Sequence, residues 1–201
     1  MIIKTLVETS YRGMFKLTPE DGSSFFIRRE YLTDLDFDLL EQGFEATEEQ
    51  TDELMDAGLC AVVEFKAVDY LARAEQCRAG LRRKLIQKKY ETLYIDRALD
   101  YLESSDYLSD RRFARAWLNT RSTNHYEGRT RLLSELMNRG IDRDIAVDSI
   151  DEFYSEHDEA EICRKAYEKA LKTKSGDKLI AALQRQGFTL KQIREAESTQ
   201  A

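Results

Sequence analysis

The sequence Leu132-Leu-Ser-Glu-Leu136-Met-Asn-Arg-Gly140-Ile141 is one of three related stretches in this chain of 201 residues. Its two leucines stand four residues apart, glycine follows the second leucine by four residues, and a large apolar residue comes next. The same order recurs in Leu81-Arg-Arg-Lys-Leu85-Ile-Gln-Lys-Lys89-Tyr90, with lysine for glycine, and in Leu179-Ile-Ala-Ala-Leu183-Gln-Arg-Gln-Gly187-Phe188. The second leucines of successive copies are 51 and 47 residues apart, a period that indicates tandem helical units. Such units bury a core by stacking and usually form binding surfaces.

Each copy predicts a helix, a tight link and a second helix. Gly140 and Gly187 suit the left-handed position that follows a helix. One apolar residue later, Asp142 and Thr189 are candidates to cap the next helix. Lys89 occupies the glycine position in the first copy, so we expect that junction to be less stable by about 1 kcal/mol.

The N-terminal segment reads as short strands. Ile2–Val7, Met14–Leu17 and Ser24–Ile27 are apolar-rich runs, and Pro19–Gly22 is a strong turn signal. The pattern predicts a small antiparallel meander.

A helix pattern follows the strands. Thr47-Glu-Glu-Gln50 fits a capping box that begins a polar helix, and we expect a hinge near Gly58. The predicted fold is mainly α: three tandem three-helix repeats form an elongated curved array behind a small β-rich N-terminal domain. The expected boundaries are 1–62 for the β-rich domain with its polar helix, 63–109 for repeat one, 110–154 for repeat two and 155–201 for repeat three.

The periodic apolar positions predict the core of each repeat. We expect these side chains to be buried: Leu81, Leu85, Tyr90, Ile95 and Leu99 in repeat one; Leu132, Leu136, Ile141, Ala146 and Ile150 in repeat two; Leu179, Leu183, Phe188 and Ile193 in repeat three.

Composition favours a helix-rich cytoplasmic protein. Charged residues make up 34% of the chain, and proline occurs once. No apolar run approaches the roughly 18–20 residues of a membrane span, and the N-terminus lacks the pattern of a signal peptide. Cys60, Cys77 and Cys163 are odd in number and far apart, which is typical of a reducing compartment.

The net charge of −7 is unevenly distributed. Residues 1–66 carry 6 basic and 15 acidic side chains, whereas residues 67–154 carry 16 and 15, and residues 155–201 carry 9 and 8. The acidity therefore lies in the N-terminal third, and the repeats are nearly neutral. Because net charge bears on partners rather than on fold, the basic clusters of the repeats need separate attention.

The catalytic inventory is poor. His125 and His157 have no cysteine or acidic partner at metal-ligand spacing, and the sequence contains no phosphate-binding glycine loop or nucleophile elbow. These absences predict a protein that is not an enzyme and that has no metal site and no cofactor.

Basic residues cluster in the first two repeats, and aromatic residues lie between them. The clusters fit either a solvated helix face or a surface for phosphates or an acidic partner. Tyr126 lies in a polar loop and is the best aromatic candidate for an exposed contact, whereas Tyr107 is expected to pack between helices and Trp117 to lie in the core. The candidate contact residues are Arg78, Arg82, Arg83, Lys84, Lys88, Arg112, Arg115, Tyr126, Arg129 and Arg131.

The middle of the chain resembles the RecX regulatory proteins, bacterial modulators of the RecA recombinase. Arg82-Arg-Lys-Leu85 resembles the start of the family pattern, and Tyr107-Leu-Ser-Asp110-Arg-Arg-Phe113-Ala114 matches its Tyr-Leu-x-Asp-x-x-Phe-Ala element. Gly128-Arg-Thr-Arg131-Leu-Leu-Ser-Glu135-Leu-Met-Asn-Arg139-Gly140-Ile141 matches its second-repeat signature. The resemblance covers roughly residues 65–197. The chain departs from the family at three positions: Cys77 and Gly80, where serine and glutamate are frequent, and Lys89, where glycine is usual.

The resemblance implies an all-helical protein that binds the groove or an end of RecA filaments and damps their ATPase, strand-exchange and co-protease activities. The family supplies no catalytic residues, and some members also bind DNA weakly. Two alternatives remain: a repeat protein that competes directly for single-stranded DNA, and an adaptor for an unrelated partner. The acidic N-terminal domain favours a protein partner, and we expect a monomer.

Overall fold

The computed structural model describes residues 1–123 and 125–199 and is mainly helical with one small sheet. The strands are β1 (Ile3–Glu8), β2 (Met14–Pro19) and β3 (Phe25–Arg28). The helices are α1 (Glu48–Leu71), α2 (Arg78–Gln87), α3 (Thr92–Ser104), α4 (Asp110–Ser122), α5 (Arg129–Asn138), α6 (Arg143–Glu156), α7 (Glu159–Leu171), α8 (Gly176–Arg185) and α9 (Leu190–Ser198). Short 3₁₀ helices lie at Arg29–Tyr31 and Phe37–Leu39. The mainly α fold and the small β-rich N-terminal segment are as predicted.

The sheet confirms the predicted meander. Its order is β1-β2-β3, and both neighbouring pairs are antiparallel. Each strand contributes side chains to the core: Ile3, Met14, Leu17 and Ile27 are fully buried, as expected for a sheet with one packed face.

Helix α1 is longer than predicted. Thr47 and Gln50 form the expected capping box, and the helix then runs unbroken through Gly58 and past residues 62 and 63, where a domain boundary was expected. The predicted hinge near Gly58 is therefore wrong. Gly58 lies against the ring of Phe25, so its lack of a side chain permits close packing of the helix on β3.

The chain divides into two compact units. The first unit comprises residues 1–74 and 81–108, and the second comprises residues 75–80 and 109–201. The core of the first unit joins buried side chains of the sheet with those of α1, α2 and α3. The second unit has one core cluster along α4, α5 and α6 and another along α7, α8 and α9.

The helix links within the repeats form as the sequence predicted. Gly140 and Gly187 have φ values of 92° and 94°, and Lys89 takes the same left-handed region at 66°. The side chains of Asp142 and Thr189 accept backbone N–H bonds at the starts of α6 and α9. These contacts satisfy N–H groups that a helix end leaves without a partner.

The predicted core positions are confirmed, with one partial exception. All are buried except Tyr90, which is half-buried. Tyr107 was expected between helices but is 60% exposed. It follows Asp106, whose φ of 57° turns the chain after α3.

Candidate partner-binding surfaces

Helix α2 carries basic candidates that are already engaged within the first unit. The guanidinium of Arg82 donates to both carboxylate oxygens of Asp96 on α3, at 2.7 and 3.0 Å. The ammonium of Lys84 lies 5.2 Å from the ring centre of Tyr70, within the range of a cation–π contact. Both side chains therefore have part of their charge compensated inside the unit.

Arg83, on α2, and Lys88, just after the end of α2, differ from the other basic candidates nearby. Both are exposed, and among the described residues neither forms an ion pair. Arg83 lies in the second turn of α2, and Lys88 directly follows Gln87, the last residue of that helix, so both cationic side chains lie on the surface. They are the members of the candidate set with the most charge available to a partner.

Arg78 and Arg112 lie in the second unit. The backbone N–H of Arg78 donates to Oδ1 of Asp110 at 2.7 Å, which fixes the start of α2 against the start of α4. Burial raises the pKa of Asp110, and the hydrogen bond from Arg78 opposes that rise. Arg112 donates from Nε to Glu75 at 2.9 Å. Both arginines thus help to join the turn before α2 to α4.

Three further arginines of the second unit face carboxylates. Arg115 lies 3.6 Å from Glu152 and 3.7 Å from Glu156 on α6. Arg129 bonds to Glu159 at 2.9 Å and also to Asp151, and its guanidinium lies 4.6 Å from the ring centre of Tyr154. Arg131 forms a 2.6 Å pair with Glu135 one turn later. Local acidic partners therefore neutralise much of the charge that the sequence suggested was available.

An ionic network around Trp117 was missed by the sequence analysis. The guanidinium of Arg121 lies 5.1 Å from the indole centre and that of Arg139 4.6 Å from it. Arg121 donates to both oxygens of Glu127, at 2.5 and 2.9 Å, and Arg139 donates to Glu135 at 2.8 Å. The hydrogen bond from Arg139 holds the pKa of Glu135 below its ordinary value of 4.5, and Arg131 adds to this effect. The signals visible in the sequence were the i, i+4 spacings of Glu135 to Arg139 and of Arg131 to Glu135.

Tyr126 is less exposed than the sequence suggested. Its ring is half-buried and packs on the core cluster of α7, α8 and α9, with the ammonium of Lys169 at 5.8 Å from the ring centre. A cavity of about 130 Å³ lies beside it, well below the size of a typical small-molecule site. The main role of the Tyr126 side chain is therefore to pack against this core cluster.

The first unit holds a buried polar group that periodicity did not reveal. Arg28 forms two 2.7 Å bonds with Glu64, and the hydroxyl of Tyr31 donates to the same carboxylate at 2.9 Å. The guanidinium of Arg28 also lies 4.4 Å from the ring centre of Tyr101. Burial raises the pKa of Tyr31 far above its ordinary value. With every charge paired, this group is suited to holding β3 on α1.

The described part of the chain offers no metal site: no group of three or more histidine, cysteine, aspartate or glutamate side chains is arranged to hold an ion. Cys60, Cys77 and Cys163 are buried free thiols. Within residues 1–123 and 125–199, none of the helices combines the length and apolar character needed to cross a membrane.

Comparison with known proteins places these features in one family. Residues 66–102 match the family model described as RecX, first three-helix domain, and residues 109–149 match the second three-helix domain. The regulatory protein RecX of Treponema pallidum (strain Nichols) is 33% identical over 153 residues, covering 76% of this chain and 93% of that protein. The protein of the same name from Chlorobium phaeobacteroides (strain BS1) is 32% identical over 135 residues, covering 64% and 87%.

Solved structures share the fold. A crystal structure of a regulatory protein RecX superimposes with a TM-score of 0.75 at 18% identity, covering 98% of both chains. The structure of RecX from Lactobacillus salivarius gives a TM-score of 0.61 at 21% identity, covering 70% of this chain and 96% of the other. The first of these matches extends over the N-terminal sheet as well as the helices.

Proposed function

The chain belongs to the RecX family of regulatory proteins, and we propose that it binds the RecA nucleoprotein filament in the cytoplasm, in its groove or at its end, and inhibits it. The inhibited activities would be ATP hydrolysis, strand exchange and co-protease stimulation, in recombinational repair and the SOS response. The protein would act by binding alone, as a regulator without catalytic residues.

One observation favours a protein partner over bare DNA. Most of the basic candidates have carboxylates or aromatic rings as neighbours within the chain, as in the contacts of Arg82 with Asp96, Arg112 with Glu75 and Arg129 with Glu159. A surface that tracks phosphates needs uncompensated cations, because affinity comes from releasing the counterions of DNA. A surface of alternating charge is instead suited to a complementary protein surface, where it sets register and selectivity.

We propose that Arg83 and Lys88 make the principal charged contacts within the candidate set, since both are exposed. They would meet acidic groups on RecA. The other members of the candidate set would hold the helices of their own unit in place or make secondary contacts with the partner: Arg78, Arg82, Lys84, Arg112, Arg115, Tyr126, Arg129 and Arg131.

The deciding experiment measures single-stranded-DNA-dependent ATPase of the cognate RecA while this protein is added well below RecA stoichiometry. We expect inhibition at these ratios, together with weak binding to bare DNA at the same salt concentration. Absence of inhibition at every ratio would refute the proposal.

Direct competition for single-stranded DNA is the other outcome. In that case ATPase would fall only once the protein saturates the strand, and the logarithm of the DNA-binding constant would decrease steeply with the logarithm of salt concentration. A shallow dependence with potent inhibition supports filament binding.

A further inference from the structure

The turn between α7 and α8, together with the first residues of α8, carries a group of solvent-facing lysines that we call the lysine turn: Lys172, Lys174 and Lys178. Every residue from 171 to 178 is exposed. Residues 169–178 contain four lysines and one acidic residue, Asp177. This segment therefore has a net charge of +3, in a chain whose net charge is −7.

The lysine turn differs from most of the basic candidates of the first two repeats, because carboxylates within the chain do not compensate its charge. The ammonium of Lys174 donates to the uncharged hydroxyl of Thr173 at 3.3 Å. In the part of the third repeat that the structure describes, the lysines that form ion pairs lie elsewhere, in the pairs Lys165–Glu161 and Lys191–Glu195. The cations of the lysine turn are thus available to a ligand.

We propose that the lysine turn binds the phosphate backbone of nucleic acid without regard to base sequence. Uncompensated cations are what such a surface needs, because affinity comes from releasing the counterions of the phosphates. Lysine contributes a compact point charge on a flexible stem, and contacts with phosphate carry no direct sequence information. The choice of DNA among polyanions rests on the proposed function, since a protein that binds a nucleoprotein filament acts where DNA is present.

The composition of the turn fits a phosphate backbone better than an anionic membrane. Stable binding to a membrane surface combines cations with a substantial apolar face that enters the lipid. Among the exposed residues 171–178, Leu171 is the single large apolar side chain. The remaining side chains are polar or charged, apart from Gly176, so the attraction that this surface offers is electrostatic.

The lysine turn is separate from the surface proposed to contact RecA. It lies in the second unit, whereas Arg83 and Lys88 lie in the first. It also lies outside residues 66–102 and 109–149, which match the two RecX domain models. Binding to bare DNA and inhibition of RecA should therefore be separable by substitution.

Fluorescence anisotropy of the full chain with a short labelled duplex, and with a labelled single strand of the same length, tests the proposal. Three phosphate contacts predict that the logarithm of the binding constant falls with the logarithm of salt concentration with a slope of about −3 for the duplex and about −2 for the single strand. Lys172→Glu with Lys174→Glu should weaken binding to both at least about tenfold and bring the duplex slope to about −1. Lys172→Gln with Lys174→Gln should cause a smaller loss, because it removes charge without reversing it.

Arg83→Glu with Lys88→Glu is the matched control, since it makes the same change of net charge in the first unit. It should alter DNA affinity by no more than about twofold, because salt screens charges that lie far from the bound phosphates. Equal losses of DNA affinity in the two charge-reversed pairs would overturn the proposal, as would an unchanged affinity and slope after Lys172→Glu with Lys174→Glu. Binding to anionic phospholipid vesicles in place of DNA would also overturn it. The DNA measurement stands whether or not the protein inhibits RecA, so its failure is distinct from a failure of the proposed function.

Discussion

Gly128 and Gly187 bring two stretches of backbone into direct contact within the second unit. The N–H of Gly128, at the start of α5, donates to the carbonyl of Gln186 at 2.8 Å, and a Cβ on Gly128 would clash with the carbonyl oxygen of Gly187. Gly140 makes a related approach to Ala79, where an added Cβ would lie 2.5 Å from the alanine methyl carbon. The glycine that ends the middle helix of one repeat thus also permits close contact with the start of the middle helix of the preceding repeat.

Replacement of Gly187 by alanine should destabilise the protein by about 2–4 kcal/mol. The substitution forces a side chain into a φ of 94° and places its Cβ 2.5 Å from the backbone nitrogen of Arg131. Gly43→Ala is the matched control, because Gly43 has a φ of 86° with no neighbouring atom within 4 Å of an added Cβ. Urea unfolding of both variants separates steric overlap from backbone strain, and equal losses would show that the close contact contributes nothing.

Lys89→Gly should raise the free energy of unfolding by about 0.5–1 kcal/mol. Lys89 holds a φ of 66°, a conformation that glycine adopts without the Cβ penalty. Lys88→Gly provides the control, because the same change one residue earlier adds flexibility without relieving a positive φ. The prediction fails if urea unfolding finds the two variants equally destabilised.

Glu64→Leu should cost about 3 kcal/mol or more, since it leaves the buried guanidinium of Arg28 without its carboxylate. Asp148→Asn breaks an ion pair with Arg111 in which both side chains are more than half exposed, and its effect should stay below about 1 kcal/mol. Thermal or urea unfolding of the two variants measures this contrast. A small loss for Glu64→Leu would mean that Arg28 finds water or another acceptor.

Acid should destabilise the protein partly through Glu135. The pKa of this carboxyl is lowered in the folded state, chiefly by the hydrogen bond from Arg139, so its contribution is fully present above its unfolded pKa and is lost as pH falls through the lower folded value. In Glu135→Gln, the decline of unfolding free energy below about pH 4.5 should be shallower than in the wild type. Glu168→Gln removes an exposed carboxylate without an ion pair among the described residues, and it should retain the wild-type slope.

The sequence predicted the features that depend on neighbours a few residues away. Leu132 and Leu136 are buried because i, i+4 spacing defines one helix face, and Thr47 caps α1 through a partner three residues later. The role of Gly58 could not be predicted in this way, because its missing side chain makes room for Phe25, which lies on a strand more than thirty residues earlier in the chain.

The sequence also could not predict how far carboxylates neutralise the basic candidates, because this too depends on residues that are distant along the chain. The carboxylates that meet Arg112 and Arg129 lie 37 and 30 residues away along the chain. Periodicity places an arginine on a helix face, but it does not show which distant carboxylate faces that arginine after folding. The positions of the basic residues on the helices could therefore be predicted, but the charge that they present to solvent is lower than the sequence suggested.

Arg83→Glu with Lys88→Glu tests the proposed contact surface most directly. Arg83 is exposed on α2 and Lys88 is exposed just after its end. Helical circular dichroism and urea unfolding should therefore remain those of the wild type, since surface changes away from special features usually alter stability by less than about 0.5 kcal/mol. Inhibition of the RecA ATPase should weaken by about tenfold or more, because two attractive contacts become repulsive.

Lys172→Glu with Lys174→Glu is the control, as it makes the same net charge change at two exposed lysines after α7. If both pairs reduce inhibition equally, net charge governs the effect and the α2 surface is not the specific contact. Unchanged inhibition with Arg83→Glu and Lys88→Glu would instead direct the search to the aromatic and ionic cluster around Trp117.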